Sequence, residues 1–225
     1  MNIQTYKEST VEVIDRSPIV SQMVKLALDL TMKRTDDIRP VGVTSELAAF
    51  LLEAEHTSVF EHGSMTILIK GISRSLLAQL TRQRTFSPTS ASQHYQDYKD
   101  YPFTLRPNWD AEDRIKETYE KALTTTLASY VKLIELGEPP EEARQVLPNA
   151  CSVNMEITFN PRALAVFLRQ RLCYRNVTEM QLFSEDLLRI SRHWFPELFD
   201  HVGPPCFMDG KCNQGRMSCG KNWKR

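Results

Sequence analysis

Twice in this chain an alternating apolar stretch runs into a helix-capping residue and then into helical spacing, and that pair of junctions constrains the fold more than any other feature. In the first, "SMTILIKG" (64–71) places Met65, Ile67 and Ile69 on one face and Ser64, Thr66, Leu68 and Lys70 on the other, the period-two pattern of a strand. Gly71 is expected to close it. Ser73 can then cap a helix, "RSLLAQLTRQR" (74–84), whose apolar stripe is Leu76, Leu77 and Leu80. In the second, "ACSVNMEITF" reads as a strand, and Asn160–Pro161 is a good start for the helix "RALAVFLRQRL". Strands that alternate with helices predict an α/β or α+β domain.

The remaining segments fill in around these junctions. "SPIVSQMVKLALDLTM" carries Val20, Met23, Val24, Ala27 and Leu28 at helical spacing, and a polar loop, "KRTDDIRPVG", follows. "TSELAAFLLEAEHTSVFEH" opens with Thr44 or Ser45 as N-cap of a short helix. Residues 85–107, with Pro88, Pro102 and Pro107, show little periodicity, and an irregular segment of that length inside a domain is often functional. A long helix is predicted from Asp110 to about Leu136, with Ile115, Tyr119, Leu123, Leu127, Tyr130 and Ile134 in register and a break at Gly137. A short helix starts near Pro139–Pro140 and ends before Pro148. The last long helix, with Val177, Met180, Phe183, Leu187, Ile190 and Trp194, ends near Pro196. Residues 1–203 are expected to form a single domain, followed by an irregular tail over 204–225.

Composition narrows the function classes. Lys+Arg and Asp+Glu both number 28, so the formal charge is zero, which argues against a binder of nucleic-acid polymers but leaves room for a local positive pocket. No apolar run is long enough for a membrane span, and "MNIQTYKEST" lacks the basic-then-apolar pattern of a secretory signal. Five cysteines cannot all pair internally, and a reduced, cytoplasmic setting is expected.

Several polar residues stand where apolar ones belong. Arg171 continues the stripe of Leu164, Phe167 and Leu168, so it either snorkels at the helix end or lines a cleft and faces an anion or a carbonyl. Gln79 and Arg82 are three apart and share a helical face, whereas Arg84 points elsewhere; "RQR" also reads simply as a basic helix C-terminus. A lone Arg144 in a short helix reads as a surface residue. His56, Glu61 and His62 lack zinc-protease spacing, and Cys206, Cys212 and Cys219 (C-x5-C-x6-C) match no common zinc pattern, so no metal is expected. Neither a phosphate loop, a nucleophile elbow nor a dinucleotide fingerprint is present. Read alone, these residues give a candidate anion pocket and no reaction.

Four blocks taken together go further. "HTSVFEH" (56–62), "SRSLLAQLTRQRTFSPTSASQHY" (73–95), "EEARQVLPNA" and "NPRALAVFLRQRLCYRNVTEMQ" resemble, in order, the flavin-dependent thymidylate synthases. That family's signature is Arg-His-Arg, seven residues, then Ser; here it reads Arg82-Gln83-Arg84, seven residues, Ser92. The tail "GPPCFMDGKCNQGRMSCGK" also looks like tails of some members. The resemblance implies a mixed sheet with long helices in a homotetramer with shared active sites. It further implies FAD as cofactor, NADPH and methylenetetrahydrofolate as co-substrates, and methylation of dUMP to dTMP.

Carried over by position, Ser58, Glu61, Arg82, Gln83, Arg84, Ser90, Asn160, Arg162 and Arg175 would contact FAD. Gln79, Arg82, Ser90, Ser92, His94, Arg144 and Arg171 would hold the nucleotide, with Arg171 and Ser92 at the catalytic step. Guanidinium forks suit phosphate and pyrophosphate, and a fixed cation at Arg171 would stabilise charge on the uracil. This chain departs from the family pattern at Gln83 (His), Ser90 (Glu or Gln), His94 (Arg) and Val166 (Asn in some members). A related C5 transfer such as hydroxymethylation, or another pyrimidine nucleotide, stays open. So do a non-catalytic nucleotide- or RNA-binding protein that stacks bases on Phe86 and Tyr95, and a structural oligomer whose arginines pair between subunits.

Overall fold

The computed structural model describes residues 1–32, 41–95, 98, 102–107, 113–221 and 223; most of the loop predicted after the first helix, and the predicted helix start at Asp110, lie outside them. Six strands are described: β1 (Ile3–Thr5), β2 (Thr10–Arg16), β3 (Met65–Ser73), β4 (Ser87–Ser90), β5 (Phe103–Leu105) and β6 (Ser152–Phe159). The helices are α1 (Val20–Thr31), α2 (Ser45–Glu53), α3 (Arg74–Leu80), α4 (Asp113–Glu135), α5 (Pro140–Ala143), α6 (Pro161–Arg171), α7 (Thr178–Trp194), α8 (Pro196–Phe199) and α9 (Pro205–Met208). Four strands form a sheet in the order β2-β3-β6-β4, and β1 pairs with β5 in parallel, Ile3 opposite Phe103.

Both strand-to-helix junctions form as their caps dictate. The Ser73 hydroxyl accepts from the Leu76 N–H at 3.1 Å to start α3, and Asn160 Oδ1 accepts from the Ala163 N–H at 2.8 Å to start α6. Thr44 does the same for α2, accepting from the Leu47 N–H at 3.2 Å.

Five expectations need correction. β3 does not stop at Gly71 but runs to Ser73, because Gly71 takes a φ of +72°, which a glycine adopts without steric cost. Its N–H donates to Asn154 Oδ1 at 2.9 Å, and its carbonyl accepts from Gln4, Ser9 and Thr104. The helix expected to reach Arg84 ends at Leu80, so the face shared by Gln79 and Arg82 is lost. The stretch 85–107 contains β4 and β5 rather than pure loop. The tail holds α9 and a 3-10 turn at Gly215–Met217. Tyr119, in the helical register of α4, is only partly covered, at 37% exposed.

Two compact units share the chain: one of residues 1–12, 68–83 and 88–157, the other of 13–67, 84–87 and 158–225. The first has a core of Tyr98, Phe103, Leu105, Leu123, Tyr130, Ala143 and Cys151, with Tyr98 edge-on to Tyr130 at 6.3 Å. The second buries the apolar faces of α1, α2, α6, α7 and α8, among them Val24, Leu51, Leu164, Phe167, Leu187 and Phe199. Phe195 meets both Phe60 and Phe199 edge-on there.

Candidate active site

Helix α6 carries several of the candidate residues of the second unit. Ala163, Leu164, Phe167 and Leu168 are buried, and Arg171 follows them at the end of the same stripe, half-buried. Its Nε is buried with no hydrogen-bond partner among the described residues, and Nη1 donates to Asn176 Oδ1 at 3.4 Å. A guanidinium nitrogen taken out of water and left unmatched costs free energy in the unliganded chain. A buried Nε on a half-buried side chain is compatible with both sequence readings of Arg171, snorkelling at the helix end and facing an anion or a carbonyl.

At the other end of α6, the Arg162 guanidinium donates to Glu61, the last residue of the 3-10 turn Thr57–Glu61. Both side chains are about half exposed, so the pair adds little stability and is free to exchange for a ligand. Glu61, Thr85, Asn160, Arg162, Ala163 and Val166 line one cleft of about 320 Å³. Val166, 44% exposed, puts a methyl-bearing wall where some family members carry an amide. Ser58 is exposed on the 3-10 turn, and Arg84 is exposed beside the cleft residue Thr85. Asn160 Oδ1 is occupied by its cap, which leaves the amide nitrogen for other work. Arg175 donates to the Met217 carbonyl of the tail.

Arg84 and Thr85 are held through Phe86. That ring is 6% exposed and packs against Phe159 and Phe167, with centroids 5.2 and 5.1 Å away. Phe86 is therefore a plug in the core and not a platform for a base, which corrects one half of the RNA-binding reading; Tyr95 is 92% exposed.

The first unit holds the other candidates. Gln79 is half-buried on α3; Arg82 is exposed and Gln83 half-buried just past its end, and the Gln83 N–H donates to the Leu80 carbonyl at 3.0 Å. Ser90 is exposed at the end of β4. Ser92 Oγ accepts from the His94 N–H at 3.2 Å, a side-chain turn that fixes the loop between them. Arg144 is half-buried, and its Nε donates to the Glu141 carbonyl at 2.9 Å.

Guanidinium, hydroxyl and amide donors over an apolar floor of Ala163 and Val166 fit the ring portion of a dinucleotide such as FAD, whereas a pyrophosphate would have to displace the Glu61 carboxylate from Arg162. Burial pushes the Cys151 thiol up to about 12 against the opposing charge of Arg74, so it stays protonated and is no nucleophile. Sequence reasoning missed Thr85, for which no local signal existed. It also missed Asn176, whose signal was an asparagine just beyond a helix that ends in basic residues.

The family described as thymidylate synthase complementing protein matches residues 10–197. The chain belongs to the flavin-dependent thymidylate synthase family. It is 34% identical over 191 residues to the flavin-dependent thymidylate synthase of Geobacter sulfurreducens, covering 83% of this chain and 82% of that protein. The enzyme of that name from Clostridium tetani is 32% identical, with 76% and 75% covered. Among solved structures, a UMP/dUMP methylase, PolB, from Streptomyces cacaoi bound with 5-Br dUMP superposes with a TM-score of 0.77 at 22% identity, covering 89% of this chain and 96% of that one. That likeness establishes the shared fold.

Proposed function

We propose that this chain is an FAD-dependent enzyme that builds a methyl group at C5 of dUMP, giving dTMP, with methylenetetrahydrofolate as carbon donor and NADPH as reductant. The observation that carries the reading is the buried Nε of Arg171, without a partner among the described residues, at the end of an apolar helical stripe. Family membership and the names of the relatives support a uridylate substrate and a flavin.

In this reading Gln79, Arg82, Ser90, Ser92, His94 and Arg144 hold the nucleotide with Arg171. Ser58, Glu61, Arg82, Gln83, Arg84, Ser90, Asn160, Arg162 and Arg175 hold FAD. The arginines meet phosphate and pyrophosphate as planar forks. Bound FAD supplies the electron-pair chemistry that side chains lack. The protein's own contribution is electrostatic: negative charge develops on the uracil carbonyls as C5 turns nucleophilic, and the Arg171 guanidinium stabilises it there. Ser92, whose Oγ accepts from the His94 N–H, would present its hydroxyl to the nucleotide. No thiol adduct at uracil C6 is required, in keeping with the inert Cys151. A cytoplasmic homotetramer is the assembly the family implies.

The test is to reconstitute the full chain with FAD, titrate its visible spectrum with dUMP, UMP and dCMP, and follow tritium release from 5-tritiated dUMP with folate donor and NADPH. The flavin band should shift with dUMP and not with dCMP. Arg171→Ala should keep the flavin and lose at least about 100-fold in tritium release. A chain that takes up no FAD, or releases no tritium with all components present, ends the reading.

A further inference from the structure

We propose that Asn176 is a positioning residue for Arg171, setting which edge of the guanidinium is offered to the nucleotide; this rests on Arg171 binding that nucleotide. The Asn176 side chain lies where α6 ends. The two hydrogens of its Nδ2 are shared among three backbone carbonyls, Gln170 at 3.1 Å, Arg171 at 3.1 Å and Cys173 at 3.2 Å. An amide oxygen in that place would face three other oxygens, so the orientation of the amide is decided by chemistry. Oδ1 must then face the other way, and it meets Arg171 Nη1 at 3.4 Å.

Asn176 is itself held from behind. Gln181, on the first turn of α7, donates from Nε2 to the Asn176 carbonyl at 2.5 Å and the Tyr174 carbonyl at 3.2 Å. The turn between α6 and α7 is thus tied to both helices, and the amide that reaches Arg171 has little freedom to move.

With Nη1 turned to Asn176, the Nε–Nη2 edge faces away from it. That is the edge whose Nε is buried without a partner among the described residues. Two parallel N–H donors on one edge form the fork that grips a carbonyl or oxyanion acceptor. At 3.4 Å the Asn176 contact orients the guanidinium more than it binds it. Asn176 therefore raises affinity by removing the rotamers of Arg171 that ligand binding would otherwise have to freeze.

A double-mutant cycle decides this. The FAD-loaded full chain, Asn176→Ala, Arg171→Ala and the double variant are titrated calorimetrically with dUMP, and their melting temperatures are recorded alongside. Asn176→Ala should weaken dUMP about tenfold, and the double variant should bind no more weakly than Arg171→Ala alone. Competence for FAD, read from the flavin spectrum, should be unchanged in all four. Asn176→Ser, whose hydroxyl can donate to a carbonyl but is too short to reach the guanidinium, repeats the measurement if Asn176→Ala does not fold. A lower melting temperature with unaltered dUMP affinity would show that Asn176 only caps α6, and the proposal falls. A tenfold loss that persists in the Arg171→Ala background overturns it as well, since the effect would not pass through Arg171. Unchanged dUMP binding in Arg171→Ala itself would remove the functional reading together with the inference, an outcome distinct from the other two.

Discussion

Cys151 and Cys212 stand at opposite ends of thiol reactivity, and the cause in each case is local. Cys151 is buried and its thiol is pushed up to about 12, so ionisation is suppressed through the whole neutral range. Cys212 is exposed and its thiol is held below the ordinary value, first by a hydrogen bond with the Ser218 side chain, then by one with the Gln214 backbone, with a smaller pull from the Arg175 charge. A lowered value means more thiolate at a given pH, so brief iodoacetamide treatment near pH 7 should label Cys212 and spare Cys151, as read by peptide mass spectrometry. Ser218→Ala should slow the labelling of Cys212. Gly71 is a second site where one residue decides the outcome. At φ +72° a side chain is strained, and an added Cβ would come within 2.5 Å of Gln4 Nε2. Gly71→Ala should cost about 1–3 kcal/mol in urea unfolding, with Gln4 displaced from the Gly71 carbonyl. The sequence marked Gly71 as a terminator because glycine usually ends a strand; the positive φ inside β3 arises from donors on Gln4, Ser9 and Thr104, which are remote in the chain.

At the scale of elements, α6 does three things with one sequence. Its start is set by the Asn160 cap and Pro161, its buried face by Leu164, Phe167 and Leu168, and its end by a pair of arginines that suit the negative end of the helix dipole. Asn160→Ala should lower stability by about 1 kcal/mol through loss of the cap, whereas Asn160→Ser should restore most of it. A weaker hold on FAD in both variants would assign the Asn160 amide nitrogen to the cofactor, and unchanged FAD affinity in both would remove Asn160 from the site. Phe86→Ala should cost about 3–5 kcal/mol, because the ring fills space against Phe159 and Phe167. The same change should weaken any ligand that depends on Arg84 or Thr85. The starts of α2, α3 and α6 were legible in the sequence because a capping side chain bonds a backbone group three residues on. The end of α3 was not, since "LTRQR" continues the helical pattern while the chain turns away after Leu80. β4 and β5 were missed for the related reason that short strands acquire their hydrogen bonds from distant partners.

For the chain as a whole, the tail after Gly203 is seated by side chains remote in sequence. Asp209 receives a two-pronged contact from Arg169, at 3.1 and 2.6 Å, and Met217 receives Arg175, so arginines at and just beyond the end of α6 hold the tail. Phe207 and the buried Trp223 meet edge-on at 5.1 Å. Arg169→Ala should speed tryptic cleavage after Lys211 and Arg216 by several-fold without unfolding the chain, as followed by intact mass; an unchanged cleavage rate would show that the fork is incidental. By itself the sequence determined the periodic elements, their caps, the stripe that ends in Arg171 and the family to which the chain belongs. All of these are carried by residues close together or by motifs in order along the chain. Only the tertiary structure decided that Glu61 meets Arg162 across 101 residues, that Phe86 is a core plug, and that Asn176 Oδ1 lies against Arg171 Nη1. Hydrogen-bond partners and burial are properties of the packed chain, and a polar atom's lack of a partner can be known only once every neighbour is in place.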